Sequence, residues 1–110
     1  MNTKSVLLVG VSYKPNISDT RESPAIKIAA SLIDKGINVS FHDSYVKNFL
    51  INSKELHRVE NLSEHVGDFD CVVILQVHDS LDVQSLTSNA KQIFDTRGFL
   101  KRDNPRTTHL

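Results

Sequence analysis

Ser5-Val6-Leu7-Leu8-Val9-Gly10, followed by Tyr13-Lys14-Pro15-Asn16-Ile17-Ser18-Asp19-Thr20-Arg21-Glu22-Ser23-Pro24, decides the fold of this chain. Val6 to Val9 is a continuous apolar run stopped by a glycine. Such a run suits a strand covered on both faces, as in a parallel sheet. Ser23-Pro24 is a helix start, with serine as N-cap and proline at the first helical position. Ala25, Ile26, Ile28, Ala29, Leu32 and Ile33 supply a helical apolar stripe, and Lys35-Gly36 closes it with a cation and a C-terminal glycine. Asn38 to His42 reads as a second strand, with Val39 and Phe41 turned inward. A strand-helix-strand unit of this kind crosses over right-handed and pairs its strands in parallel.

Further along the chain the signals are shorter. Asp43 to Asn61 predicts a helical or irregular excursion, with a brief third strand near His57 to Val59. Leu62 to Gly67 predicts a short helix with Ser63 near its start. Cys71-Val72-Val73-Ile74-Leu75 is the clearest strand. Asp79 or Ser80 is placed to cap a helix through Leu81, Val83 and Leu86, and Gln92-Ile93-Phe94 gives a last strand. Strands alternating with helices predict an α/β fold. The expectation is a doubly wound, mostly parallel sheet of about five strands with helices on both faces, a Rossmann-like or flavodoxin-like sandwich. Residues 1–100 form its single domain, and 101–110 read as a frayed tail. There is no internal repeat, low-complexity segment or interdomain linker.

The 110 residues carry 13 basic and 13 acidic side chains, so no positive excess points to nucleic acid or an anionic membrane as a partner. No apolar run approaches the length of a membrane span, and the N-terminus has no signal-peptide pattern. The single cysteine, Cys71, excludes an intrachain disulfide and fits a reducing, cytoplasmic setting.

In this architecture ligands sit outside the carboxyl ends of the strands. Three segments fall on that edge: the Tyr13–Arg21 loop, Gln76 to Ser80, and Asp95 to Gly98. Lys14 stands four residues after Gly10, which permits a tight turn and a close approach. Pro15 biases Lys14 to an extended backbone that aims its side chain outward. The following helix start adds free N–H groups. Together these read either as an anion site of ordinary design or as a solvated lysine in a surface loop. Arg21 reads either as a bidentate phosphate ligand or as an ion-pair staple to Asp19. Arg97 reads as a ligand contact or as part of a turn made by Asp95 and Gly98. Asp43, at the end of the second strand, occupies the place where dinucleotide folds hold a ribose. With one glycine in Gly10-Val11-Ser12-Tyr13 the pyrophosphate fingerprint is missing, so Asp43 reads as a turn or cap residue. His78 reads as a hydrogen-bonding loop residue and Cys71 as buried and inert. The histidines show no metal-ligand spacing, and no catalytic motif is present, so neither a metal nor a catalytic residue is assigned.

Taken in order, Gly10, Tyr13-Lys14, Asp19-Thr20-Arg21-Glu22-Ser23-Pro24, His42-Asp43, Val72-Val73-Ile74-Leu75 with His78, and Asp95-Thr96-Arg97-Gly98 resemble the C-terminal, UDP-binding domain of the UDP-glucose/GDP-mannose dehydrogenases. The resemblance covers Ser5 to Gly98. Enzymes of this family oxidise the C6 hydroxyl of a nucleotide sugar to a carboxylate with two NAD molecules, through a thiohemiacetal and a thioester on a cysteine. By position, Lys14 and Arg97 match residues that hold the UDP-sugar, and Arg21 matches an arginine that reaches NAD. The resemblance implies that NAD is bound mainly by a separate N-terminal domain, and that a central helical domain carries the cysteine and the dimer contacts. The glycine-rich fingerprint and the glycine-flanked cysteine are not in this sequence. The chain therefore reads as an excised domain or truncated product, inactive alone, whose partners are a UDP-sugar and those two domains. Tyr13-Lys14-Pro15-Asn16 and Phe41-His42-Asp43 look more like the UDP-N-acetylhexosamine branch than the UDP-glucose branch. Two other readings stand beside this one: a stand-alone nucleotide- or phosphate-binding regulatory module, and a structural or oligomerisation module in which Lys14, Arg21 and Arg97 staple loops.

Overall fold

A computed structural model describes residues 4–96, residue 98 and the backbone of residues 107–109; Arg97 lies outside the described residues. Strand β1 (Ser5–Val9) is followed by helix α1 (Pro24–Asp34) and strand β2 (Asn38–His42). Ser23 caps α1 by accepting the Ala25 amide on its hydroxyl at 3.1 Å, with Pro24 in the first turn. Gly36 follows the helix at φ +81, the left-handed stop that Lys35-Gly36 predicts. Leu50–Ile51 (β3) and Lys54–Glu55 (β4) form a small antiparallel hairpin. Its two turn residues, Asn52 and Ser53, both have positive φ, as tight hairpin turns require. The excursion predicted as helical or irregular is therefore partly a hairpin. Its strands are two residues long, too short to show alternation in the sequence.

His57–Arg58 (β5) is the brief third strand of the main sheet. Helix α2 (Leu62–His65) runs into a 3-10 turn, Val66–Asp68, and its cap is Asn61, whose side chain accepts the Glu64 amide. Strand β6 (Cys71–Ile74), helix α3 (Val83–Asn89) and strand β7 (Ile93–Asp95) follow. The cap of α3 is Asp82 rather than Asp79 or Ser80. Asp79 is held instead by Asn16, and the Leu81 amide turns back to the His78 carbonyl at 3.0 Å, which delays the helix start. Within the segment read as a tail, Thr107–His109 pairs in parallel with β7 as β8.

The main sheet runs β5-β2-β1-β6-β7-β8, and every pair in it is parallel. Counted in chain order its strands lie third-second-first-fourth-fifth-sixth, which is the Rossmann order and not the flavodoxin one. Among the described residues the sheet has six strands where the sequence predicts about five, because β8 lies in the segment read as tail.

Both faces of β1 are covered. Val6 and Leu8 pack with Ala25, Ala29, Val39 and Phe41 on the α1 side. Leu7 and Val9 pack with Leu62, Val66, Val72 and Leu86 on the α2 and α3 side. That two-sided burial is what the continuous apolar run of β1 reports. The order reverses between β1 and β6, so the carboxyl ends of β1, β2 and β6 frame the place where this architecture takes ligands.

Candidate functional site

The loop after β1 is fixed at several backbone points. The Tyr13 amide donates to the Asp19 carbonyl at 2.7 Å and closes the loop on itself. The Ser12 hydroxyl donates to the Lys14 carbonyl at 2.7 Å. The Gln76 side-chain amide donates to the Tyr13 carbonyl at 3.4 Å. Lys14 itself is exposed, with its Nζ 5.7 Å from the centre of the Tyr13 ring. The loop thus holds its backbone still while leaving the cation free to meet a solution ligand.

Arg21 is differently placed. Its guanidinium makes a fork on Asp19, with Nε to Oδ1 at 3.1 Å and an Nη to Oδ2 at 3.0 Å. The Arg21 side chain is 88% exposed. The guanidinium and the Arg21 amide hold the Asp19 carboxyl down from its ordinary 3.8 to about 2. Arg97 lies outside the described residues. Strand β7 is separated from β1 by β6, so its end stands about 10 Å from the end of β1. Asp95 is fully buried and accepts the Gly98 amide at 2.9 Å, so it does form a turn.

Gly10 has φ +78, and a Cβ built there would lie 2.0 Å from the Gln76 carbonyl oxygen. The close approach that this glycine permits is therefore made by the protein's own backbone at the end of β6. Asp43 is 2% exposed and also turns inward. Its Oδ2 accepts the amides of Val11 (2.8 Å) and Ser12 (3.3 Å), and its Oδ1 accepts those of Tyr45 (2.8 Å) and Val46 (3.2 Å). It also pairs with His78 Nε2 at 2.8 Å. His78 Nδ1 accepts the Asn16 amide at 2.6 Å, so the ring carries its proton on Nε2. Tyr45 leans on the imidazole at 4.7 Å between ring centres. Asn16, at φ +62, exchanges two side-chain bonds with Asp79. Asp43 and His78 therefore join the loops after β1, β2 and β6.

The sequence places Asp43 and His78 on the correct edge and reads both as structural. It does not join them, because they stand 35 residues apart and nothing in either neighbourhood names the other. Gln76 is placed on that edge only as the start of the segment Gln76 to Ser80, with no role given. It is 3% exposed, and its Oε1 has no partner among the described residues. Burial pushes the Cys71 thiol up, with the neighbouring Asp70 adding to it, which agrees with its reading as inert.

Two cavities open here. The crevice between Gly10, Asp43, Gln76, His78 and Leu81 has a volume of about 10 Å³, room for one water. The groove beside it, bounded by His42, Ser44, Glu60, Ser80 and Asp82, reaches about 430 Å³. Its charged lining is acidic, which does not suit a diphosphate. The described residues also do not fit a resident NAD. The acid at the end of β2 already accepts four amides and an imidazole, and the β1 turn is closed by Gln76. Among the described residues no group of histidine, cysteine and carboxylates is arranged to hold a metal ion. No described helix is long and apolar enough to cross a membrane.

Strand order and a basic loop at the reversal point define an α/β domain of the nucleotide-binding type. Residues 7–102 match the UDP-glucose/GDP-mannose dehydrogenase family, UDP binding domain, and the chain belongs to that family. It is 37% identical over 106 residues to the UDP-N-acetyl-D-mannosamine dehydrogenase of Methanocaldococcus jannaschii, covering 89% of this chain and 23% of that one. It is 31% identical over 112 residues to the GDP-mannose 6-dehydrogenase of Pseudomonas syringae pv. tomato, covering 90% and 26%. Its fold matches the solved GDP-mannose dehydrogenase of Pseudomonas aeruginosa with a TM-score of 0.75 at 25% identity, over 99% of this chain and 28% of that one. The chain thus spans about a quarter of the length of these relatives.

Proposed function

We propose that this chain is the nucleotide-gripping domain of an NAD-dependent UDP-sugar 6-dehydrogenase, and that Lys14 and Arg97 hold the UDP end of the substrate. The observation that carries this reading is Lys14: an exposed cation on a loop pinned at several backbone points, within a domain of the UDP-binding family. A charge-assisted contact from such a pre-set position is worth about 1.5–3 kcal/mol to a bound phosphate. The sugar is a UDP-N-acetylhexosamine. Support for it comes from the archaeal relative, which is named for UDP-N-acetyl-D-mannosamine.

Oxidation of the C6 hydroxyl to a carboxylate removes four electrons, which two NAD molecules accept as hydride. That chemistry belongs to the enzyme's other domains, and this chain alone is inactive. Its one thiol is pushed up by burial, the reverse of what a nucleophile needs. Arg21 reaches the NAD held by the partner domain. For Arg21 a second reading has its own observation, the fork on Asp19, in which the arginine only closes the loop. The enzyme works in the cytoplasm, where nucleotide sugars are its substrates.

Titration of UDP into the chain, followed by calorimetry, tests the assignment, with NAD as the parallel ligand. Saturable UDP binding is expected, weakened about tenfold or more in Lys14→Ala with the melting temperature little changed. Equal UDP affinity in wild type and Lys14→Ala would remove Lys14 from the site.

A further inference from the structure

We propose that His78 is the positioning residue of the Lys14 loop: it holds the Asn16 amide on Nδ1, Asp43 holds it on Nε2, and through this bridge the buried end of β2 sets where the cation stands. The inference rests on the phosphate-binding role given to Lys14, but its geometry is independent of it. Asn16 lies two residues after Lys14, at the turn of the loop, with φ +62. Its amide points into the protein and meets His78 Nδ1 at 2.6 Å. Its side chain is bound both ways to Asp79, next to His78 in sequence.

The ring has little freedom of its own. It is 4% exposed, Tyr45 packs against it with the rings tilted 56° at 4.7 Å between centres, and Asp43 Oδ1 fixes Nε2 at 2.8 Å. The Ser12 hydroxyl, which donates to the Lys14 carbonyl, stands 3.4 Å from the same Nε2. Both sides of Lys14 are therefore referred to one imidazole. A carboxylate that receives four backbone amides is a rigid reference, and an imidazole can pass that reference on because its two nitrogens differ in role. Pre-setting the loop lowers the ordering cost of binding, so the contribution appears in ligand affinity.

Two substitutions separate the nitrogens. In His78→Asn the side-chain oxygen falls near the Nδ1 position and still accepts the Asn16 amide. In His78→Gln the side-chain amide falls near Nε2, keeps Asp43, and leaves the Asn16 amide without its acceptor. In the full chain, hydrogen exchange at the Asn16 amide is expected to quicken about tenfold or more in His78→Gln and to stay near wild type in His78→Asn. UDP affinity should fall in His78→Gln toward that of Lys14→Ala, and fall less in His78→Asn, which keeps the Asn16 acceptor but loses Asp43. In a Lys14→Ala background His78→Gln should cost no further affinity. Equal Asn16 protection in both variants would overturn the proposal. So would affinity losses that merely follow melting temperature. If wild type does not bind UDP, the reading of Lys14 fails while the exchange result still decides the role of His78. If a variant does not fold, nitrogen-15 spectra of the wild-type ring decide it: Nδ1 bare and coupled to the Asn16 amide is expected, and a proton on Nδ1 would overturn it.

Discussion

Gly10 and Gly36 both hold positive φ, but a side chain at each would meet different surroundings. At Gly36 nothing lies within 4 Å of a built Cβ, so Gly36→Ala carries only the left-handed penalty, about 1–2 kcal/mol. At Gly10 the same penalty is joined by a clash with the Gln76 backbone at 2.0 Å, which no rotamer can relieve. Gly10→Ala should therefore lose about 3 kcal/mol or more in urea denaturation, with Gly36→Ala as the control. Similar losses at the two sites would show that the β1 and β6 ends are not in contact.

The Asp19–Arg21 fork makes a pH prediction at the same scale. Asp19 is lowered from 3.8 to about 2, chiefly by the Arg21 side chain and then by the Arg21 amide. A depressed folded pKa adds stability above the unfolded value and loses it as pH falls through the folded one, here between about pH 4 and pH 2. The pair is exposed, so water screens it and its effect on folding is small. Arg21→Ala should move the Asp19 titration, followed by NMR, up from about 2 toward 3.8. No movement would assign the shift to another group.

Among the elements, α1 carries the clearest local code. Ser23 is buried and accepts the Ala25 amide, Pro24 has the fixed φ of a first turn, and Ala25 and Ala29 face β1 and β2. Ser23→Ala should cost about 1 kcal/mol and leave the fold intact, read from the melting curve. Because the capped turn directly follows the Lys14 loop, the change should also loosen the Thr20 to Ser23 turn, where the Ser23 amide donates to the Thr20 carbonyl at 3.0 Å. The helix after β6 teaches the opposite lesson. Asp79, Ser80 and Asp82 are all good caps in isolation, and Asp82 takes the role because Asp79 is engaged by Asn16, 63 residues earlier. Local chemistry offers candidates, and a long-range contact chooses among them.

Over the whole molecule, Asp43 is the point on which the carboxyl edge converges. It binds amides of the loops after β1 and β2 and, through His78, the loop after β6. Asp43→Ala leaves these amides and an imidazole without their acceptor in the interior. The expected loss is about 3–5 kcal/mol in urea denaturation, with the loops on this edge losing hydrogen-exchange protection first. A loss under about 1 kcal/mol would mean that water replaces the carboxylate freely. The same convergence is why the described residues of a Rossmann-ordered sheet do not fit a resident dinucleotide here. The acid is taken up by four backbone amides and an imidazole, and the first turn is closed by the Gln76 backbone.

The parallel, two-sided character of the sheet was legible in four residues. Val6 to Val9 are apolar without alternation, which requires cover on both faces and hence a parallel sheet with helices on each side. Ser23-Pro24 and Lys35-Gly36 set the bounds of α1, since caps are local in sequence. The same locality made the exposed place of Lys14 on its loop legible, as Gly10, Pro15 and the helix start are its near neighbours. Tertiary structure alone decided the rest. It placed β8 beside β7, chose Asp82 as a cap, filled the space over Gly10 with the Gln76 backbone, and brought Asp43, His78 and Asn16 together. The physical reason is separation along the chain. Dihedral preferences and amphipathic periods act over a few residues. A hydrogen bond between residues 35 or 62 positions apart exists only once the sheet has carried their loops to one edge.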